Sequence, residues 1–152
     1  MLDLKSTAPN IESIDQNGQT INLSNWIGDK YIVLFFYPKD FTPGCVKEAC
    51  GFAREYDALC ENGEVEIIGV SGDATGSHQK FADTYGLPFS LISDKNKAIR
   101  KAFEVPIYLG LISSRVTYII DKQGKICFAF EGITKANEHV SSVVAELKHL
   151  TE

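Results

Sequence analysis

The chain has 152 residues, 44% apolar and 23% charged, with a formal net charge of −5. That is ordinary globular usage, and residues 1–152 are read as a single domain with its own core. Mild acidity without a Lys/Arg stripe excludes nucleic acid as the main partner, and no apolar run approaches the ~20 residues that span a bilayer, which excludes a membrane helix.

Residues 11–14 and 19–23 are short apolar–polar alternations around Asn17-Gly18, which predicts an N-terminal β-hairpin. A short turn of helix is expected over residues 24–26. Residues 31–37 are nearly all apolar and aromatic, the pattern of a central strand covered on both faces. Pro38 and Pro43 bracket a loop that cannot continue it. Thr42 before Pro43 reads as a helix N-cap with proline at the first helical position. The helix is expected to run to about Cys60 and to stop at Asn62-Gly63, with Ala49, Phe52, Ala53, Tyr56 and Leu59 on its inner face. The pattern then predicts a buried strand over 65–70, a helix over 75–85 ended by Gly86, a short strand over 88–93 and a helix over 95–103. An apolar loop over 105–114 follows, then a hairpin of residues 115–121 and 125–131. An amphipathic helix over 135–150 closes the chain, with Val140, Val143, Val144 and Leu147 inward. Strands alternating with helices, with hairpins at both ends, make an α/β protein with a central mixed β-sheet flanked by helices.

The chemistry concentrates in residues 36–50. One cysteine, Cys45, falls in the first turn of the predicted helix, and Cys50 follows five residues later. Orphan N–H groups and the positive end of the dipole favour negative charge at a helix start, and such positions favour a thiolate. On an ideal helix the Cα atoms of Cys45 and Cys50 are about 8.6 Å apart, beyond the ~7 Å that a disulfide tolerates. The pair bonds only if the first turns unwind. Gly51 weakens the helix there by about 1 kcal/mol relative to alanine.

The plainer alternative makes both cysteines small buried residues, the default for this residue type. For Cys45 the helix entrance made by Thr42-Pro43-Gly44 weighs against it. Cys60 and Cys127 are expected to be packing. His78, His139 and His149 lack metal-ligand spacing and are expected on the solvated surface. Lys39 and Asp40 read as solvated loop charges, and Glu48 as a first-turn carboxylate that suits the helix dipole. Four cysteines without the basic and apolar regions of an export signal point to a reducing, cytoplasmic compartment.

Pro38-x-x-x-Thr42-x-x-Cys45 resembles the peroxiredoxin signature. The fuller run from Phe36 to Cys45, with Glu48-Ala49-Cys50, is similar to the bacterioferritin comigratory protein (Q-type) subfamily. The similarity continues through Ala8-Pro9, Gly69-Val70-Ser71, Asp73, Ser77-His78, Phe81, Leu87-Pro88-Phe89, Ser93-Asp94, Arg115-Val116-Thr117 and the stretch from Ile120 to Ile126. The resemblance implies a thioredoxin-like fold and thiol-dependent reduction of hydrogen peroxide and organic hydroperoxides, with no cofactor or metal. By position it implies an atypical two-cysteine mechanism. Cys45 is then the peroxidatic thiol and Cys50 the resolving one, joined in an intramolecular disulfide that thioredoxin or a similar dithiol reduces. Thr42 supplies a hydroxyl to thiolate and peroxide, Pro38 shields the site, and Arg115 is the arginine of the pocket.

The simpler readings are a plain N-cap for Thr42 and a surface arginine opening a strand for Arg115. The departures from the pattern are Val46, where a polar residue is common, and Asn10-Ile11 in place of Asp-Phe. The resemblance leans to a monomer, and the apolar loop leaves a dimer open. Two competing functions stand beside the peroxidase. One is a redox sensor or chaperone-like binding protein on the same fold, which oxidises without turning over. The other is a general disulfide oxidoreductase, disfavoured because four residues separate the cysteines where thioredoxin has two. Unwinding on oxidation has a direct check. Amide hydrogen exchange over residues 45–52 is expected to rise in the oxidised protein, and unchanged protection contradicts it.

Overall fold

The strand over residues 31–36 is apolar at every position because both of its faces are covered. The computed structural model describes residues 1–108 and 112–151. In chain order the elements are β1 (Glu12–Ile14), β2 (Thr20–Asn22), a 3-10 turn (Leu23–Asn25), β3 (Tyr31–Phe36), α1 (Pro43–Cys60), β4 (Val65–Ser71) and α2 (Thr75–Tyr85). They continue with β5 (Ser90–Ser93), α3 (Ala98–Ala102), β6 (Ile107–Tyr108), β7 (Ile112–Ser113), β8 (Val116–Ile120), β9 (Ile126–Glu131) and α4 (Ala136–Thr151). The central sheet has the order β5-β4-β3-β8-β9. β3 pairs parallel with β4 and antiparallel with β8, so the sheet is mixed. β1 and β2 form the expected hairpin.

The two-residue period of β3 sorts its side chains between two cores. Val33 and Phe35 point into one with Phe52 of α1, Phe81 of α2, and Val143 and Leu147 of α4. Ile32, Leu34 and Phe36 point into the other with Ile68, Val70, Phe103 and Tyr118, closed by Ile11, Ile21 and Leu23 of the N-terminal segment.

α2 ends at Gly86, which takes the left-handed φ of 62° that a residue with a side chain resists. Two elements are shorter than their patterns. β5 starts at Ser90, past Pro88, which has no N–H to give the ladder. α3 starts at Ala98, because Asp94 turns the chain and accepts from the backbone N–H groups of Ile99 and Arg100 at 3.0 Å each. The expected loop over 105–114 carries the short pair β6 and β7; Leu109, Gly110 and Leu111 lie outside the described residues.

This topology fixes where the site falls. β3 and β4 run parallel, and the loop after β3 leaves the sheet at its carboxyl edge, where α/β sheets place their ligands. The pairing of Phe36 with Val116 sets Arg115, one residue before β8, beside the start of that loop. α1 lies against α4 at Gly51, where a β-carbon would stand 2.8 Å from Cγ2 of Val140. Gly51 therefore has a packing reason as well as a helix-weakening one.

Candidate active site

The loop between β3 and α1 is pinned by a residue expected to be solvated. Asp40 is buried. Its Oδ1 accepts from the Tyr37 hydroxyl at 2.7 Å, its Oδ2 from the Ser77 hydroxyl at 2.8 Å, and His78 Nδ1 lies 2.8 Å from Oδ2. The backbone N–H of Asp40 donates to Asp73 Oδ2 at 2.8 Å, and Ser71 donates to the same oxygen. His78 is wholly buried, not on the surface, and its Nε2 faces the Ile92 carbonyl at 3.1 Å. Both ring nitrogens therefore face oxygen atoms. Asp40, Asp73 and His78 bring ligand atoms within 4.8 Å of one another, but these oxygens already accept bonds from protein donors. Anchored in this way, the chain passes through Phe41 with φ of 65°, a left-handed conformation unusual for a bulky side chain. The Phe41 ring rests 5.2 Å from Phe81, centroid to centroid.

Thr42 takes the N-cap position with extended φ and ψ, and Pro43 follows as the first helical residue. The Thr42 hydroxyl does not cap the helix; it donates to the Lys39 carbonyl at 2.7 Å. The first helical bond runs from Val46 N–H to the Thr42 carbonyl at 2.9 Å, so the N–H groups of Gly44 and Cys45 have no intrahelical acceptor. Pro38 is half-buried at the end of β3.

Cys45 is only 1% exposed. Its Sγ accepts from Arg115 Nη2 at 3.5 Å. Arg115 Nη1 donates to Glu48 Oε1 at 2.7 Å, and Nε donates to the Ile133 carbonyl at 3.1 Å. These bonds lock the guanidinium in one plane against the sulfur. Burial works against the charge on Arg115, but Glu48 and Cys45 outweigh it and the pKa is raised, so the group stays cationic. Space for it depends on Gly44, where a β-carbon would lie 2.8 Å from Nη2.

Glu48 is in the second turn of α1, not the first, and is fully buried. Burial pushes its carboxyl up to about 7 against the opposing pull of Arg115. Among the described residues its Oε2 has no hydrogen-bond partner. His139 of α4 faces it, with Nδ1 3.6 Å from Oε2. His139 is wholly buried as well. Burial lowers its pKa to about 4, so the ring is neutral. Nε2 donates to the Gly132 carbonyl at 3.0 Å, and Nδ1 accepts from the Thr117 hydroxyl at 2.8 Å.

All four cysteines are free. Cys50 is half-buried on α1. Burial raises the thiols of Cys60 and Cys127 to about 11, which leaves them protonated and unreactive at neutral pH. The structure thus brings Pro38, Thr42, Cys45 and Arg115 to one end of the sheet and keeps Cys50 on the intact helix. Asp40, Glu48, His78 and His139 are buried as well, although Asp40 and the two histidines were expected in solvent and Glu48 in the first turn of the helix.

A buried thiol under a clamped guanidinium defines a thiol-based site. Residues 4–129 match the AhpC/TSA family. The chain is 40% identical over 146 residues to a chloroplastic peroxiredoxin Q of Triticum aestivum, covering 95% of this chain and 66% of that one. It therefore spans just under two thirds of the wheat protein's length. It is 37% identical to the peroxiredoxin Bcp of Bacillus subtilis, covering 99% and 98% of the two chains. Among solved structures, the bacterioferritin comigratory protein of Xanthomonas campestris, studied as trapped intermediate and ligand complexes for its alkyl peroxide reduction, superposes with a TM-score of 0.84. That match is at 29% identity over 93% of this chain and 92% of the other. The chain belongs to the AhpC/TSA family, in its peroxiredoxin Q or bacterioferritin comigratory protein branch, and its sheet and helices form the thioredoxin-like peroxiredoxin fold.

Gly44 supplies a test of the clamp. In Gly44→Ala the new methyl group displaces the far end of Arg115, and because Arg115 also holds the buried Glu48 stability is expected to fall by about 1 to 3 kcal/mol. The rate of peroxide reduction is expected to fall by about tenfold to a hundredfold, since a donor is lost from the site where charge develops. Stopped-flow kinetics with hydrogen peroxide decides it; a parent-like rate contradicts the clamp.

Proposed function

We propose that this chain is a thiol peroxidase that reduces hydrogen peroxide and organic hydroperoxides through Cys45. Cys50 is the resolving thiol, and thioredoxin or a similar dithiol is the reductant. The observation that carries the proposal is the contact of Arg115 Nη2 with Cys45 Sγ at the start of α1.

The Cys45 thiolate attacks one peroxide oxygen in line. The S–O bond forms as the O–O bond breaks, and the distal oxygen leaves with the electron pair. Arg115 and the N–H groups of Gly44 and Cys45 face the region where that charge grows. The hydroxyl of Thr42 already donates to Lys39, which leaves its oxygen free to accept from the peroxide O–H and orient it. Pro38 limits the entry of water. The product is a sulfenic acid at Cys45, which condenses with the Cys50 thiol to give a disulfide and water. An external dithiol restores both thiols by exchange.

Both cysteines lie on α1, so the disulfide needs no second chain, and we take the monomer as the working unit. A reducing, cytoplasmic setting suits the free Cys60 and Cys127.

Peroxide consumption with thioredoxin and its reductase tests the proposal. The parent is expected to turn over many times, and Cys45→Ser to consume peroxide no faster than buffer. A Cys45→Ser protein as active as the parent overturns the role of Cys45. A parent that oxidises once and stops favours the redox sensor.

A further inference from the structure

Arg115 lies between two groups that can each become an anion. Glu48 Oε1 is 2.7 Å from Nη1 and Cys45 Sγ is 3.5 Å from Nη2. All three side chains are almost wholly buried, and two buried anions on one cation leave an uncompensated charge away from water. The surroundings of Glu48 decide how that excess is removed. Its Oε2 faces no donor among the described residues. On the facing helix, His139 Nδ1 lies 3.6 Å from it. With Nε2–H given to Gly132, that nitrogen presents a lone pair. That lone pair already accepts from the Thr117 hydroxyl, so Nδ1 has no proton to give a carboxylate: a bare anionic Oε2 stays buried without a donor, whereas the protonated acid leaves no charge unpaired.

We infer that Glu48 holds a proton while Cys45 is a thiolate and gives it up when Cys45 is oxidised, so that Arg115 exchanges one counter-ion for the other within the reaction. The inference rests on the peroxidase reading of Cys45. The balance is Cys45–S⁻ + ROOH + Glu48–COOH → Cys45–SOH + ROH + Glu48–COO⁻. The S–O bond forms, the O–O bond breaks, and the sulfur is oxidised as the peroxide is reduced. The leaving alkoxide ends protonated, and the proton it gains is matched by the one Glu48 releases, passed through solvent. The neutral sulfenic acid no longer needs the cation, and Arg115 is left paired with the Glu48 carboxylate.

The raised pKa of Glu48, about 7 through burial against Arg115, places its proton within reach near neutral pH. The other groups that bear on the site are His139 of α4, which stays neutral, Thr117 of β8, and Glu131 of β9, whose Oε2 accepts from Ser114. Glu48 touches no peroxide. It acts through Arg115 and is a positioning residue whose signature is a proton count.

The experiment is a single turnover with one equivalent of hydrogen peroxide on Cys50→Ser protein at about pH 6.5. Proton uptake is read with an indicator dye in weak buffer, and sulfenic acid formation by intact mass. The Glu48-containing protein is expected to take up close to no net proton per Cys45 oxidised. Glu48→Gln, which keeps an oxygen for Arg115 but has no proton to release, is expected to take up about one. Equal uptake by the two proteins overturns the inference. Infrared difference spectra of the Cys50→Ser protein give a reading that needs no Glu48 variant. A buried carboxylic acid band is expected to disappear on oxidation as a carboxylate band grows, and an unchanged acid region overturns the inference. If Cys45 gains no oxygen in either protein, it is the peroxidase reading that fails.

Discussion

One guanidinium organises this site. Arg115 is bonded to a carboxylate and a cysteine sulfur of α1 and to a loop carbonyl far along the chain. Its own place is set by the register of β8 on β3. Each bond closes a contact that the backbone would otherwise leave free to drift, and together they give a long side chain a single geometry. The arrangement requires a glycine at position 44 and a partly charged, partly neutral cluster behind the arginine. It also places a fixed cation against the Cys45 sulfur, a position worth most in a site that excludes water.

The loop that delivers Cys45 is held as firmly from the other side. Asp40 ties residues 38–42 to the end of β4 and to α2 through Tyr37, Asp73, Ser77 and His78. The loop is therefore anchored upstream of Pro43, while α1 is anchored downstream by Phe52 in the core. Between those anchors lie Cys45, Cys50 and Gly51. A disulfide between the two cysteines requires this segment to leave its helical form, and the bonds of Arg115 to Cys45 and Glu48 are the ones that must break. The site is thus anchored on both sides of Cys45, and the segment that a disulfide would rearrange lies between the two anchors.

Much of the fold was legible because it follows local pattern. The hairpin around Asn17-Gly18, the all-apolar β3, the Pro43 start of α1 and the Gly86 stop of α2 are written in short windows of sequence. The buried ionisable residues were also legible in spacing, but residue type argued the other way. Cys45, Glu48, Ala49 and Phe52 share one helical face, as do His78, Phe81 and Ala82, and Ala136, His139, Val143 and Leu147. Each charged or polar member falls on the apolar stripe. What could not be read is the partner. Glu48 and Arg115 are 67 residues apart, and Asp40 and His78 are 38, and only the sheet topology brings them together. Lys39 is exposed as its type suggests; Asp40, its neighbour, is not, because the turn of the loop points it inward.

The account stands on Arg115 making Cys45 the thiol that reacts. The most direct measurement is the rate at which Cys50→Ser protein gains one oxygen on Cys45, followed by intact mass after one equivalent of hydrogen peroxide, with and without Arg115→Lys. Lysine keeps a charge but loses the fork that meets Glu48 and the sulfur together. The account predicts oxygen on Cys45 in both proteins and a rate about a hundredfold slower with lysine. Equal rates, or oxygen found on another cysteine, would contradict it.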